Sequence, residues 1–320
     1  MENDIFKALK RQLPDLQKNI LLKNHTTFKI GGQAEYFLIA KEKNDLMKAI
    51  KIAKRLILPV FIFGGGSNLL VLDNGIKGLV LKIKNQKLKI KNNIITADAG
   101  IKLETLVNLS IKKSLWGLEW AGGLPGTFGG AVRGNAGAFG GEIKDVILEV
   151  EALDENFKIR KLSNRQCQFS YRSSIFKKKN WFVLSASIKL KKGDRKVLFD
   201  IARSHIDYRK QRHPLEYPNA GSIFKNIDFK KFSLEFQKSL LSVVKKDPFP
   251  VVPTAYLIAE AGLKGTRVGD AEVSEKHPNF IVNLEKAKAK DVLKLIYLVK
   301  KKIKKIYHID LETEVQIVGF

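Results

Sequence analysis

Three glycine-rich segments constrain this 320-residue chain more than any other feature: residues 30–32, the run Gly64-Gly65-Gly66-Ser67-Asn68-Leu69-Leu70, and the run Ala121-Gly122-Gly123-Leu124-Pro125-Gly126-Thr127-Phe128-Gly129-Gly130-Ala131. Without a Cβ, successive backbone N–H groups can surround an oxyanion that a larger residue would hold off. Ser67, Asn68 and Thr127 add side-chain donors. A lone triple glycine is more often a turn. Together, and extended by Asn135-Ala136-Gly137-Ala138-Phe139-Gly140, the segments suit a diphosphate held by backbone amides at strand ends. None fits GxGxxG, because position 69 is Leu69, and no GK[ST] completes a P-loop. A standard nicotinamide-binding Rossmann fold is therefore not expected.

Hydrophobic periodicity sets these segments among mixed helices and strands. Ile5, Leu9 and Leu13 share a face of an opening helix that Pro14 stops, since proline cannot continue the hydrogen-bond ladder. A strand over 36–40, a helix over 44–56 through Leu46, Ala49, Ile50 and Ala53, and a strand over 60–63 lead into Gly64. Short strands are expected at 79–83, 94–97, 146–153 and 181–190, interrupted by a helix at 103–110. A charged turn at 191–194 precedes a helix at 202–210, and a domain boundary is expected there. Farther on, an LIAEAG helix ends at Gly262, a natural left-handed cap. A last helix over 289–306 gathers Val292, Leu295, Ile296, Val299 and Ile303 on one face. Asp310, Glu312, Glu314 and Gln316 then alternate with Leu311, Val315 and Ile317, as in a strand with one polar face.

The 58 Lys and Arg against 32 Asp and Glu leave a net charge of +26, which raises nucleic acid as a partner. The cations are 47 Lys and 11 Arg scattered along the chain with no RRM, zinc-finger or Arg-rich signature. A solvated lysine-rich surface is the better account, and no nucleic acid is expected. The lysine-rich back of the last helix is likewise read as solvated rather than membrane-bound. One cysteine, Cys167, excludes an internal disulfide framework and a thiolate zinc cluster, and five histidines without metal-ligand spacing give no expected metal. The first residues lack a secretory h-region and no apolar stretch is long enough to span a bilayer, so a cytoplasmic protein without membrane insertion is expected.

At the level of whole motifs the chain resembles the UDP-N-acetylenolpyruvoylglucosamine reductase (MurB) family. The resemblance rests on HTTFKIGG at His25, GGGSNLL at Gly64, AGGLPGTFGGAVRGNAGAFGGE at Ala121, FSYRSS at Phe169, NAGSIFKN at Asn219, AGLKGTRVGDAEVSEKHPNFIVN at Ala261 and LETEVQIVG at Leu311. It covers almost the whole chain. AGGLPG stands where many relatives read AGIPG, and FSYR where FTYR is common. No long tyrosine-bearing insertion lies between Trp181 and Ser222, as in the shorter class of the family.

The resemblance implies an α+β fold: a two-lobed FAD-binding domain of the PCMH/VAO type followed by a MurB-type α+β substrate domain. The lobes are expected at 1–75, joined by a returning C-terminal strand within 307–320, and at 76–195, with the substrate domain at 205–302. It further implies non-covalent FAD, NADPH as hydride-donating co-substrate, a UDP-sugar substrate and a monomer. Flavin contacts are expected from Gly64, Gly65, Gly66, Ser67, Asn68 and Leu69, from Gly123, Pro125, Gly126, Thr127, Gly129 and Gly130, and from Asn135, Gly137 and Ala138. The alternatives are another FAD-dependent oxidoreductase on the same cofactor domain and a basic nucleic-acid-binding protein.

The family's catalytic positions map onto Arg172, Ser222 and Glu314. Its substrate is an enol ether conjugated to a carboxylate, so hydride delivery to the terminal carbon leaves charge delocalised from C2 into that carboxylate. A guanidinium pairs with both carboxylate oxygens, which suits Arg172 to the developing charge; by itself it reads equally as a surface ion-pair residue. Ser222 after Gly221 suits protonation of C2, although a turn hydroxyl is the ordinary reading. An ionised Glu314 would repel the intermediate, so it is expected protonated or hydrogen-bonded through Arg172 and water, against the ordinary reading of a wet strand face. Lys225, Asn226, Lys264 and His277 are the substrate-side candidates, with solvated lysines and a loop or core imidazole as the plain alternatives.

Overall fold

The opening apolar spacing forms the helix Glu2–Gln12, after which strands and helices alternate as far as the helix Ala289–Tyr307. The computed structural model describes residues 2–319, with side chains from residue 5; the expected bounds at residues 1 and 320 lie outside the described residues. The chain divides into two compact units, one of Met1–Ile20, Ala34–Gly65 and Ile76–Tyr208, the other of Leu21–Gln33, Gly66–Gly75 and Arg209–Phe320.

The first unit holds two larger sheets, of four and five strands, and two two-stranded ones. In the four-stranded sheet, Gln33–Ala40 and Val60–Phe63 both pair in parallel with Ile76–Ile83, with Tyr36 and Val60 opposite Leu79. Parallel strands of one sheet need a crossover between them, and the helix Lys43–Arg55 supplies it from Gln33–Ala40 to Val60–Phe63, started by a capping box in which the Glu42 N–H donates to Asp45 Oδ2 at 3.0 Å. Leu46, Ala49, Ile50 and Ala53 are buried as the spacing predicts, against Tyr36, Leu38, Leu79 and Leu81. The five-stranded sheet is antiparallel, in the order Ile159–Ser163, Ile147–Leu153, Phe182–Lys189, Ile94–Asp98, Leu88–Lys91. The helices Leu103–Lys112 and Phe128–Gly134 share its core through Leu106, Val107, Phe128 and Val132. Cys167 lies in this core, and burial pushes its thiol up to about 12, which removes it as a nucleophile at neutral pH.

Several expectations differ: the strands at 36–40 and 79–83 begin three residues earlier, at Gln33 and Ile76, and the turn at 191–194 opens with a two-residue strand, Lys191–Lys192, paired with Leu115–Trp116. The helix placed at 202–210 begins seven residues earlier, as Arg195–Arg212, because Asp194 caps it: Asp194 Oδ1 accepts the Val197 N–H at 2.9 Å. The strand expected through 310–317 is confined to Gln316–Val318. Upstream of it the backbone is diverted: the Glu314 N–H donates to Ile223 O at 2.8 Å, Val315 N–H to the same oxygen at 3.4 Å, and Thr313 forms an isolated bridge with Phe224. One carbonyl accepting two consecutive N–H groups is incompatible with the regular alternation of a strand.

In the second unit an antiparallel sheet runs in the order Asn219–Ser222, Phe280–Asn283, Ala271–Val273, Arg267–Val268. Ala289–Tyr307 packs on it with all five predicted positions buried, each contributing roughly 2 kcal/mol by removal from water. The helix Thr254–Glu260 closes at Gly262, whose φ of +68° is the left-handed cap expected there. Gln316–Val318 pairs in parallel with Leu69–Val71, so the end of the chain returns to the second glycine segment. No helix among the described residues is long and apolar enough to cross a membrane.

Candidate active site

Within the first unit the glycine segments meet. A Cβ on Gly65 would stand 3.1 Å from Gly126 Cα, and one on Gly64 would collide with the Thr127 hydroxyl, so only glycine lets the two backbones touch. Leu103 N–H donates to Gly126 O, and Phe128 N–H to Ile101 O, which fixes the loop by its outward-facing groups. The N–H groups of Gly64, Gly65, Gly126, Thr127 and Gly130 have no acceptor among the described residues. Unpaired donors gathered without intervening side chains fit the diphosphate of an FAD. Gly123 and Pro125 lie exposed on the same loop. Gly129 serves differently: its N–H is taken by Ala99 O at 2.9 Å, and a Cβ would come within 2.5 Å of the Ala99 Cβ, so it packs the helix against the sheet.

Asn135 is fully buried at a φ of +44°, donating from Nδ2 to Ser170 O at 3.1 Å and accepting the Lys144 N–H at 3.1 Å. It thereby joins the Gly137–Glu142 hairpin, in which Gly137 pairs with Glu142 and Ala138 with Gly141, to the turn that carries Arg172. Ser170 and Ser173 exchange both backbone hydrogen bonds at 3.0 Å, which leaves Tyr171 and Arg172 as a two-residue tip. Arg172 has a φ of +51°, a left-handed conformation that costs a residue with a Cβ about 1 kcal/mol. Its Nη2 donates to Gly137 O at 2.8 Å and its guanidinium lies 5.0 Å from the Tyr171 ring centroid. A strained backbone with an aimed guanidinium is the arrangement expected of a group placed for a ligand. Tyr171 lies inside FSYRSS and Gly137 inside the glycine-rich motif that starts at Ala121, but nothing in the sequence marks the Tyr171 ring or the Gly137 carbonyl for this holding role.

In the second unit the glycine segment continues with Gly66, whose carbonyl accepts the Thr27 N–H at 3.1 Å, tying HTTFKIGG to GGGSNLL. Ser67 is half-buried, Leu69 is buried in its strand, and Asn68 Nδ2 donates to Glu314 O at 3.2 Å. Ser222 ends the strand Asn219–Ser222 beside a register shift. Asn219 Oδ1 accepts the Gly221 N–H at 3.0 Å, and Gly221 takes a φ of +76°, so an Asx turn swings the half-buried Ser222 out of the regular pleat. Its hydroxyl has no hydrogen-bond partner among the described residues, and a donor in that state is available to a ligand. The Glu314 N–H bonds to the carbonyl of Ile223, so the structure brings Ser222 and Glu314 onto adjoining backbone segments.

The substrate-side candidates divide. Lys225 Nζ lies 2.8 Å from Glu312 Oε2, and the lysine holds that carboxyl below the usual carboxylate range. Asn226 Oδ1 accepts the Thr254 N–H at 3.2 Å, while Lys264 is exposed in the loop after Gly262. His277 faces inward, with ring centroids 5.3 Å from His213 and 4.8 Å from Phe280. Burial, aided by the Lys245 charge, pushes its imidazole down to about 4, so at neutral pH it is uncharged and supplies no cation to a diphosphate.

Residues 34–163 match a family described as FAD binding domain, and residues 213–318 one described as UDP-N-acetylenolpyruvoylglucosamine reductase, C-terminal domain. The chain is 42% identical over 99% of its length to the UDP-N-acetylenolpyruvoylglucosamine reductase of Clostridium novyi (strain NT), covering 97% of that protein. It is 40% identical over 98% of its length to the protein of the same name from Alkaliphilus oremlandii (strain OhILAs), again covering 97%. Among solved structures it is similar to UDP-N-acetylenolpyruvylglucosamine reductase (MurB) from Thermus caldophilus, with a TM-score of 0.74 and 30% identity over 95% of this chain and 100% of that one. Matched end to end with reductases of one name, in sequence and in fold, the chain belongs to the UDP-N-acetylenolpyruvoylglucosamine reductase family.

Proposed function

We propose that this chain binds FAD non-covalently and reduces UDP-N-acetylenolpyruvoylglucosamine to UDP-N-acetylmuramate with NADPH, a step of peptidoglycan precursor synthesis. The observation that carries the reading is the two-way, nearly complete overlap with reductases of that name. Another FAD oxidoreductase would account for the match at 34–163 but leave that at 213–318 without explanation.

The chemistry FAD supplies when bound is relay of a hydride from NADPH to the terminal carbon of the enol ether. The chain's own residues do the rest. The backbone donors of Gly64, Gly65, Gly126, Thr127 and Gly130 would bind the diphosphate without side-chain obstruction, with Gly123, Pro125 and Gly129 shaping their loop and Asn135, Gly137 and Ala138 completing that contact; Gly66, Ser67, Asn68 and Leu69 contribute further flavin contacts. Arg172, held by Gly137 O and Tyr171, pairs with the substrate carboxylate, where charge accumulates. Ser222 delivers the proton to C2, and Glu314 accompanies it on the adjoining segment. Lys225, Asn226, Lys264 and His277 contribute to binding the UDP-sugar, His277 as a neutral ring. Residues 1–75 with 307–320 and residues 76–195 form the cofactor lobes, and 205–302 the substrate domain; the return of Gln316–Val318 to Leu69–Val71 supports this division. The protein works as a cytoplasmic monomer.

The visible spectrum of the purified protein tests the reading. A flavin band bleached by NADPH and restored by the enolpyruvyl nucleotide is expected. A yellow protein that NADPH bleaches and the nucleotide leaves bleached would point to a different oxidoreductase.

A further inference from the structure

Ser222 is the last residue of its strand to pair with Phe280, and beyond it the ladder is continued by a side chain. Asn279 is 3% exposed. Its carbonyl accepts the Ile223 N–H at 2.7 Å, its Oδ1 accepts the Phe224 N–H at 3.0 Å, and its Nδ2 donates to Phe224 O at 2.9 Å. The carboxamide thus offers Phe224 the acceptor and donor that another strand residue would offer. On the opposite side, Ile223 O receives the Glu314 N–H at 2.8 Å and the Lys225 N–H donates to Glu312 O at 3.0 Å. Ile223 and Phe224 are therefore clamped between Asn279 and the segment that carries Glu314, one peptide away from the Ser222 hydroxyl.

We propose that Asn279 is a positioning residue that holds Ser222 and Glu314 in register for protonation of the substrate at C2. The proposal rests on the function proposed above. A carboxamide meets the N–H and the carbonyl of Phe224 through two separate atoms while staying neutral at every working pH. A carboxylate of the same shape would keep the bond from the Phe224 N–H but could not donate to Phe224 O unless protonated. Misplacement of the proton donor by about 1 Å slows a reaction by about 10².

Asn279→Asp is compared with the parent in separate half-reactions by rapid mixing. Near pH 8 we expect flavin reduction by NADPH within about twofold of the parent and reoxidation by the enolpyruvyl nucleotide slowed by about 10², carried by the rate constant rather than by KM. As pH falls and the introduced carboxyl protonates, reoxidation recovers, an acid limb that the parent lacks. Amide hydrogen exchange quickens at Ile223, Phe224 and Glu314. Asn283→Asp is the control: Asn283 is 2% exposed in the same sheet, but it bonds Phe28 O and the Ala287 N–H, so the same exchange of groups there leaves the two half-reactions in their parental ratio. If Asn279→Asp does not fold, Asn279→Ser carries the comparison, with the same selective slowing and no acid recovery. Equal slowing of both half-reactions, or unaltered reoxidation, overturns the positioning role. A parent that the nucleotide does not reoxidise overturns the functional reading first and the proposal with it.

Discussion

Arg172 combines a conformational cost with an aimed charge, and the two can be separated by substitution. Arg172→Ala keeps the left-handed φ and loses the bond to Gly137 O; Arg172→Gly loses the same bond but relieves the backbone. Loss of the bond costs about 1 kcal/mol and relief of the strain returns about as much. The glycine variant is therefore expected to unfold near the parental temperature and the alanine variant below it, while both lose turnover on the order of 10² to 10³. An alanine variant at least as stable as the glycine variant would remove the strain argument, and either variant with parental turnover would remove the catalytic one. Ser222→Ala separates the half-reactions: reduction by NADPH should be unaltered and reoxidation slowed by roughly 10² to 10⁴, since only the second step needs a proton at C2. Equal slowing of both would locate the damage in folding or flavin placement. Motifs single out these positions, but their conformation is not legible in the sequence. A φ of +51° at Arg172 follows from the two-residue tip closed by Ser170 and Ser173, and the hold of Asn279 on Phe224 spans 55 residues.

Among the elements, the two helices with the fullest apolar stripes, Lys43–Arg55 and Ala289–Tyr307, match their sequence pattern to within a residue, whereas the strands Gln33–Ala40 and Ile76–Ile83 begin three residues before theirs. Ala289–Tyr307 matches because five apolar positions at helical spacing have one sheet to face. The start of Arg195–Arg212 is not legible in the sequence, because its first turns are mostly exposed and it depends on the Asp194 cap. The two-residue strands Gly137–Ala138 and Gly141–Glu142 have no periodicity to read; their partners define them. The glycine loops are the instructive case, since composition located them and only the fold reveals that Gly64 and Gly65 touch Gly126 and Thr127. That contact gives a compensation test. Gly64→Ala should lower FAD occupancy of the purified protein, because the new Cβ collides with the Thr127 hydroxyl. Adding Thr127→Ala removes that hydroxyl and leaves Thr127 Cβ at 3.4 Å, an ordinary contact, so the double variant should hold more flavin than Gly64→Ala alone. A double variant with less flavin than either single variant would show that close approach is not what Gly64 provides.

For the molecule as a whole, the excess of 26 positive charges means that acid adds repulsion to a fold already short of anions. Two half-buried rings add a sharper dependence. Burial pushes His277 down to about 4, with help from Lys245, and His213 down to about 4, with help from His277, Arg209 and Lys276. In the unfolded chain both titrate near the ordinary 6.5. Between these values the unfolded state binds protons that the folded state refuses, so stability is full above pH 6.5 and is lost as pH falls toward 4. For His277 alone the shift corresponds to about 3 kcal/mol, and His213, more exposed and coupled to it, adds less than an equal amount. At roughly 2–4 °C per kcal/mol, the unfolding temperature should fall by about 10 °C between neutral pH and the lower end of that window. His277→Phe tests the cause. The ring contacts with His213 and Phe280 can be kept, while the buried Nδ1, which has no hydrogen-bond partner, is removed. This variant should unfold no lower than the parent at pH 7 and show a shallower acid limb, measured by thermal unfolding across the window. A limb as steep as the parent's would place the acid sensitivity in the carboxylates, such as Asp154 bound by Arg160, rather than in the histidine pair.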